Sequence, residues 1–284
     1  MQLIQASVEL LKEKEPLKLI ELAGRTCYKS EANITKESAN QFVRNLIKNG
    51  HTAMLEHGTI ELNLRSFLDL PFFKTKITPT GYLISGNCRA WVEHFTMLNN
   101  ATRYVLSNRY PALFEHLVTC DTEVNLPIEE LVIPRYTIKF ITNRGIGYEL
   151  LRHRTMPMVE LNEGYSSFNN LSYAQESTRY CNYGKDRFNN GLTFIDDTRR
   201  FAISNRVLLE QIEQTYLNAI DEGIPAQTAR DILPNCLKTE IIVTGYKDQW
   251  QHFFGLRCAP QAHPDMRFIA EQAQQLITEE EKSE

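Results

Sequence analysis

Between residues 148 and 183 the chain reads YELLRHRTMPMVELNEGYSSFNNLSYAQESTRYCNY. This stretch crowds guanidinium groups against small polar side chains. On a helix, Glu149, Arg152 and His153 stand at i, i+3 and i+4 and share a face, while Arg154 points elsewhere. If SYAQESTRY is extended, Gln175, Ser177 and Arg179 line one side by alternation, an amide, a hydroxyl and a guanidinium in a row suited to a nucleotide phosphate. Charge-assisted hydrogen bonds are worth about 1.5–3 kcal/mol each and exposed ion pairs about 0–1. The cluster therefore matters only if it converges on a ligand.

Two other stretches invite chemistry. RGIGYEL, placed after a strand, supplies the G-x-G of a dinucleotide turn and raises a nicotinamide dehydrogenase as an alternative, but Leu150 stands where the third glycine belongs. GHTAMLEH offers His51, Glu56 and His57; histidines six apart lie on different helix faces, so no metal site is expected. A nucleotide- or RNA-binding module, with Tyr173 and Tyr180 as stacking surfaces, is the non-enzymatic alternative. Cys27, Cys88, Cys120, Cys181, Cys236 and Cys258 show no C-x-x-C spacing, which suits reduced thiols.

The positioning elements follow from periodicity. SANQFVRNLIKNGH predicts a helix over 38–49 with Gly50 behind it, and GTIELNLRS a half-buried strand with Ile60, Leu62 and Leu64 on one face. Residues 89–117 read as one or two amphipathic helices interrupted near Pro111. A strand over 136–142, a turn at Gly145 and Gly147 and a helix carrying Arg-His-Arg come next. A long helix stopped by Gly223 and Pro225 then precedes a helix, strand and helix up to Arg257, and the acidic end after 275 is expected to fray.

The 284 residues suffice for a real core in one large α/β or α+β domain or two small ones. A formal net charge of −4 gives no bulk attraction to nucleic acid or anionic membrane, so any anion site is local. No apolar run reaches a membrane span and the first residues lack a signal-peptide pattern, so the protein is expected in the cytoplasm.

Taken together, Arg152-His153-Arg154 followed by SYAQESTRY resembles the signature of the flavin-dependent thymidylate synthases, with Ala174 for Asn and Gln175 for Glu. Against that signature, residues 156–170 read as an insertion between the two halves. GHTAMLEH, ISGNCRAWVEHF, ARDILP and HFFGLRCAPQAHPDMR resemble further stretches of that family in order. The resemblance implies an α/β (α+β) fold, a single domain with a central, mostly antiparallel sheet flanked by helices, of the thymidylate synthase-complementing type. It implies reductive methylation of dUMP to dTMP, with FAD as cofactor and NADPH and methylenetetrahydrofolate as co-substrates, in a homotetramer whose subunits share active sites. Carried over by position, dUMP falls to Glu149, Arg152, Gln175, Ser177, Arg179, Arg230 and Arg257, with Arg257 catalytic. FAD falls to His51, Ala53, Glu56, Arg152, His153, Arg154, Gln175, Tyr246, Asp248 and His252. Glu149, Ala53, Tyr246, Asp248 and His252 depart from the residues usual there. No cysteine need attack the base, although Cys258 beside Arg257 is a candidate thiolate.

Overall fold

In this computed structural model the described residues are 1–65, 67–68, 70–117, 133–153, 160–161, 164–165, 171–196 and 201–283. Arg154, Cys120 and most of the 156–170 insertion lie outside them. The strands are β1 (Gln2–Ile4), β2 (Ser7–Leu11), β3 (Thr59–Leu64), β4 (Phe73–Thr78), β5 (Gly81–Asn87), β6 (Arg135–Asn143), β7 (Glu160–Leu161), β8 (Gly164–Tyr165), β9 (Ser172–Gln175), β10 (Thr193–Ile195) and β11 (Lys238–Tyr246).

The antiparallel character expected from the resemblance is present, but it is divided between two sheets: β2-β6-β11-β9 and β3-β5-β4. β6 and β11 pair along nine residues, from Lys238 opposite Asn143 to Tyr246 opposite Arg135. β9 forms the edge, with Gln175 opposite Ile241 and Tyr173 opposite Val243. β1 and β10 form a small parallel pair, and β7 pairs with β8 within the insertion.

Alternation decides what each face of the larger sheet carries. Ile138, Phe140, Ile241 and Val243 face a core built with the helices Arg144–Leu151, Lys247–Arg257 and Pro264–Ser283. Ala174 and Ile242 face the other way and meet Ala23 of the helix Pro16–Tyr28. That helix starts at Pro16, with the Glu15 carboxylate accepting from the Leu17 and Lys18 amides, and ends at Lys29 in the left-handed region. Its Leu17 and Ile20 belong to the core of the smaller sheet, so one helix binds the two sheets together.

Several expectations are corrected. Gly145 and Gly147 form no turn, because Asn143 caps the helix directly, its side-chain oxygen accepting from the Ile146 amide at 2.8 Å. The strand before them pairs antiparallel on both sides, so the parallel β-α-β frame of a dinucleotide fold is not built there and the dehydrogenase alternative falls. That helix ends at Leu151 and does not carry Arg-His-Arg. The chain end does not fray: its helix runs to Ser283, Ile277 is 5% exposed, and Glu281 binds Lys247 at 2.9 Å and the Tyr136 hydroxyl at 3.2 Å. Among the described residues no helix is long and apolar enough to cross a membrane.

Candidate active site

Two strand-to-helix junctions place the site's cations. Arg152 occupies the position after the helix Arg144–Leu151 and is exposed, whereas His153 turns inward and is 8% exposed. Helical spacing therefore misassigns them: the chain leaves the helix at Arg152 and the two side chains part. The His153 ring stands 5.2 Å from that of His252 and 5.3 Å from that of Phe253, both on the helix Lys247–Arg257. Burial, then the neighbouring His252 and Arg257 charges, push His153 down to about 4, so its ring is neutral near pH 7.

Arg257, in the last turn of that helix, is half-buried and donates from Nη2 to the Glu149 carbonyl oxygen at 2.9 Å. This contact joins residues 108 positions apart and uses the backbone of Glu149, so the carboxylate that replaces an amide there is not what holds Arg257. Three buried polar atoms remain without a hydrogen-bond partner around this point: Arg257 Nε, His153 Nδ1 and the Tyr173 hydroxyl. Burial raises the Tyr173 phenol and Arg257 opposes the rise, which places that phenol within the guanidinium's field. Unsatisfied buried donors and acceptors are costly, so their concentration at one spot makes it the candidate binding site.

The second motif is a strand that breaks into a turn, not a continuous strand. Gln175 ends β9 beneath Gly147 and donates from Nε2 to Thr239 Oγ1 at 3.1 Å. Ser177 then donates its amide to the Cys27 carbonyl at 2.9 Å, and its hydroxyl accepts from the Arg179 amide at 3.3 Å. Arg179 is exposed and lies over Tyr180, 5.1 Å from the ring centre, with Tyr28 5.1 Å beyond.

His51, just before the short helix Thr52–His57, and Ala53 within it are exposed, and Glu56 pairs with Arg89 at 2.8 Å. This segment reaches the second motif from behind: Met54 Sδ contacts Cys27 Sγ at 3.9 Å, and Ser172 Oγ donates to the Glu56 carbonyl at 3.4 Å. His57 is fully buried against Thr244 Oγ1 at 2.8 Å and is pushed down to about 3, first by burial and then by Arg135. Arg230 is exposed in the short helix Arg230–Ile232, and five residues on the Asn235 carbonyl accepts from the Gly145 amide at 3.2 Å.

Tyr246 and Asp248 are engaged by residues of the smaller sheet. Tyr246 is 2% exposed, shares a hydrogen bond with Ser85 at 3.0 Å and lies under Lys74, while Asp248 pairs with Lys74. Both are engaged where the two sheets meet. A cavity of about 430 Å3 opens elsewhere, past Thr59, Glu61, Arg135 and Thr244, and none of the expected site residues lines it. Among the described residues no group of His, Cys, Asp and Glu could hold a metal. Cys258 is raised by burial and by Glu271, and Cys181, 0% exposed, is pushed up to about 12; neither environment favours a thiolate. Pattern reading overlooked Glu176, Tyr183 and Lys238, because a buried ion pair across strands leaves no periodic mark.

The geometry defines an α+β protein with a cluster of arginine and histidine side chains at the helix-bearing side and edge of an antiparallel sheet. The family profile described as thymidylate synthase complementing protein matches residues 9–68 and 130–280, and the chain belongs to that family. A flavin-dependent thymidylate synthase of Geobacter sulfurreducens is 30% identical over 138 residues, covering 48% of this chain and 52% of the relative. One from Pyrococcus furiosus is 29% identical over 171 residues, covering 55% and 63%, and one from Corynebacterium aurimucosum is 24% identical over 264 residues, covering 92% and 76%. The chain thus spans about half the length of the first of these in the matched region. A crystal structure of the UMP/dUMP methylase PolB from Streptomyces cacaoi, bound with 5-Br dUMP, covers 98% of this chain and 93% of its own at 16% identity, with a TM-score of 0.43. That superposition is too loose to carry the fold assignment.

Proposed function

We propose that this chain is an enzyme that methylates dUMP at C5 to give dTMP, with methylenetetrahydrofolate as carbon donor, FAD as cofactor and NADPH as reductant. The observation that carries the reading is Arg257, fixed by the Glu149 carbonyl with Nε still unsatisfied beside the unpartnered His153 and Tyr173 groups, in a chain of this family.

On this reading Ser177, Arg179 and Arg230 take the phosphate, Gln175 and Arg152 orient the nucleotide, and Glu149 contributes through its backbone. Arg257 is the catalytic electrostatic residue. On this reading its guanidinium would meet the negative charge that develops on the uracil as C5 becomes nucleophilic, and a donor fixed beforehand needs no reorganisation at that moment. The spare Nδ1 of buried His153 fits a polar cofactor. His51, Ala53, Glu56, Arg152, His153, Gln175 and His252 would hold FAD, which supplies the redox chemistry, while Tyr246 and Asp248 serve the sheet junction. Arg154 keeps the role its motif implies, outside the described residues. On this reading the exposed Arg152, Arg179 and Arg230 would be covered by neighbouring subunits of a homotetramer that complete each site.

Tritium release from C5-labelled dUMP, measured with and without FAD, NADPH and the folate, tests the proposal. Release is expected to require the flavin; release indifferent to it ends the reading, and colourless protein that binds RNA with a steep salt dependence supports the binding-module alternative instead. Arg257→Ala is expected to lower turnover by about 10²–10³-fold, far more than the modest fall in unfolding temperature from losing the hydrogen bond to the Glu149 carbonyl would explain.

A further inference from the structure

Glu176 lies inside the second motif, 1% exposed, and no step above uses it. Its two oxygens have separate donors: the Tyr183 hydroxyl donates to Oε1 at 3.0 Å and Lys238 Nζ to Oε2 at 2.9 Å. Its amide donates to the Glu240 carbonyl at 2.8 Å, which carries the β9–β11 pairing one residue past Gln175. The next amide, of Ser177, already belongs to the Cys27 carbonyl. Glu176 is therefore the point at which the chain leaves the sheet for the Ser177–Arg179 turn.

The charge is balanced around it. Lys238 also pairs with Glu240, Glu240 takes Lys29 at 2.9 Å and Lys139 at 2.7 Å, and Lys29 takes Glu31 at 2.8 Å. Three lysines thus meet three carboxylates, Glu31, Glu176 and Glu240. A hydrophobic side chain could fill such a place without the desolvation penalty of a buried ion pair, so stability alone is a weak reason for a carboxylate there. Two directional bonds aim the backbone, which an apolar residue cannot do.

We propose that Glu176, gripped by Lys238 and Tyr183, is a positioning residue that fixes the Ser177–Arg179 turn for the anionic end of the nucleotide, setting how tightly dUMP is held and not how fast the bound complex reacts. This rests on the reading of that turn as the phosphate site.

The test combines tritium-release kinetics with calorimetric dUMP binding by the flavin-loaded protein. Glu176→Ala is expected to raise KM and Kd for dUMP about tenfold with kcat within about twofold, and Glu176→Gln, which keeps an acceptor in the same shape, to recover part of the loss. Tyr183→Phe keeps the ring packed on Phe188 and Tyr216 and removes one donor, so a smaller rise, about threefold, is expected. Lys139→Met strips Glu240 of a partner without touching Glu176 and is expected to lower the unfolding temperature while leaving KM unchanged. If Glu176→Gln and Tyr183→Phe move KM no more than Lys139→Met, the proposal is overturned, even where Glu176→Ala does not fold. If Arg179→Ala leaves dUMP affinity intact, the phosphate reading fails instead, a result the other variants alone would not give.

Discussion

His57 shows how burial turns one side chain into a dependence of stability on pH. Its ring is fully buried beside Thr244 with the cation of Arg135 near it, and its proton affinity is pushed down to about 3. The unfolded chain takes up a proton near pH 6.5 that the folded chain refuses. Its contribution is therefore complete above about pH 6.5 and is lost as pH falls from there toward 3, a loss on the order of a few kcal/mol. His153, pushed down to about 4, acts in the same direction. Urea unfolding at about pH 7.5 and about pH 5 is expected to show a clear drop for the unaltered protein and a smaller one for His57→Gln; equal drops would contradict the assignment. Glu240 works lower on the scale: burial alone would raise it, yet Lys238, Lys29 and Lys139 hold it at about 2. Its contribution is present above the ordinary carboxylate range and disappears only as pH approaches 2.

At the scale of elements, the helix Pro16–Tyr28 joins the parts of the site that sequence keeps apart. Its end supplies the Cys27 carbonyl to Ser177 and the Cys27 thiol to Met54, and its start is closed by Gly58. A Cβ on Gly58 would fall 2.7 Å from Ile20 Cδ1, 2.8 Å from Cys88 Sγ and 2.9 Å from the Pro16 carbonyl oxygen, and the last of these is backbone that cannot swing away. Gly58→Ala is thus expected to cost about 1–3 kcal/mol by overpacking, read as a lower urea midpoint at unchanged slope. An unaltered midpoint would show that helix and sheet are free to separate. The same elements explain why periodicity located the helix Ser38–Lys48 and strand β3 well and failed at Gly145 and Gly147. Apolar spacing records burial along one element, whereas glycine here records how closely that element approaches another: a Cβ on Gly147 would fall 3.1–3.2 Å from side-chain atoms of Gln175, Thr239 and Ile241.

For the whole molecule, the last helix is a structural member. Ile277 lies in the core of the larger sheet, and beyond it Glu280 meets Lys12 of the chain's first segment while Glu281 meets Lys247 and Tyr136. Ile277→Ala is expected to cost about 2–5 kcal/mol, the range for a buried aliphatic truncation, and removal of residues 276–284 to lower the unfolding temperature further. A shortened chain that melts with the full-length protein would restore the picture of a frayed tail. Acidic composition suggested that picture, but composition does not reveal that the carboxylates close onto Lys12, from the far end of the chain, and onto Lys247 of the preceding helix.

By itself the sequence determined the kinds of chemistry available and most of the elements that carry them, because both are local: side-chain identity, apolar period and the ordered motifs that mark the family. It did not determine which charges meet. Arg257 finds the carbonyl of Glu149, Lys74 finds Asp248 174 positions away, and Lys238 finds Glu176 across neighbouring strands. Those pairings depend on strand register and on where each helix stops, and a one-residue difference in either sends a side chain to the opposite face. Only the packed tertiary structure decides that, which is why Arg152 and His153, adjacent in the chain, end one in solvent and the other in the core.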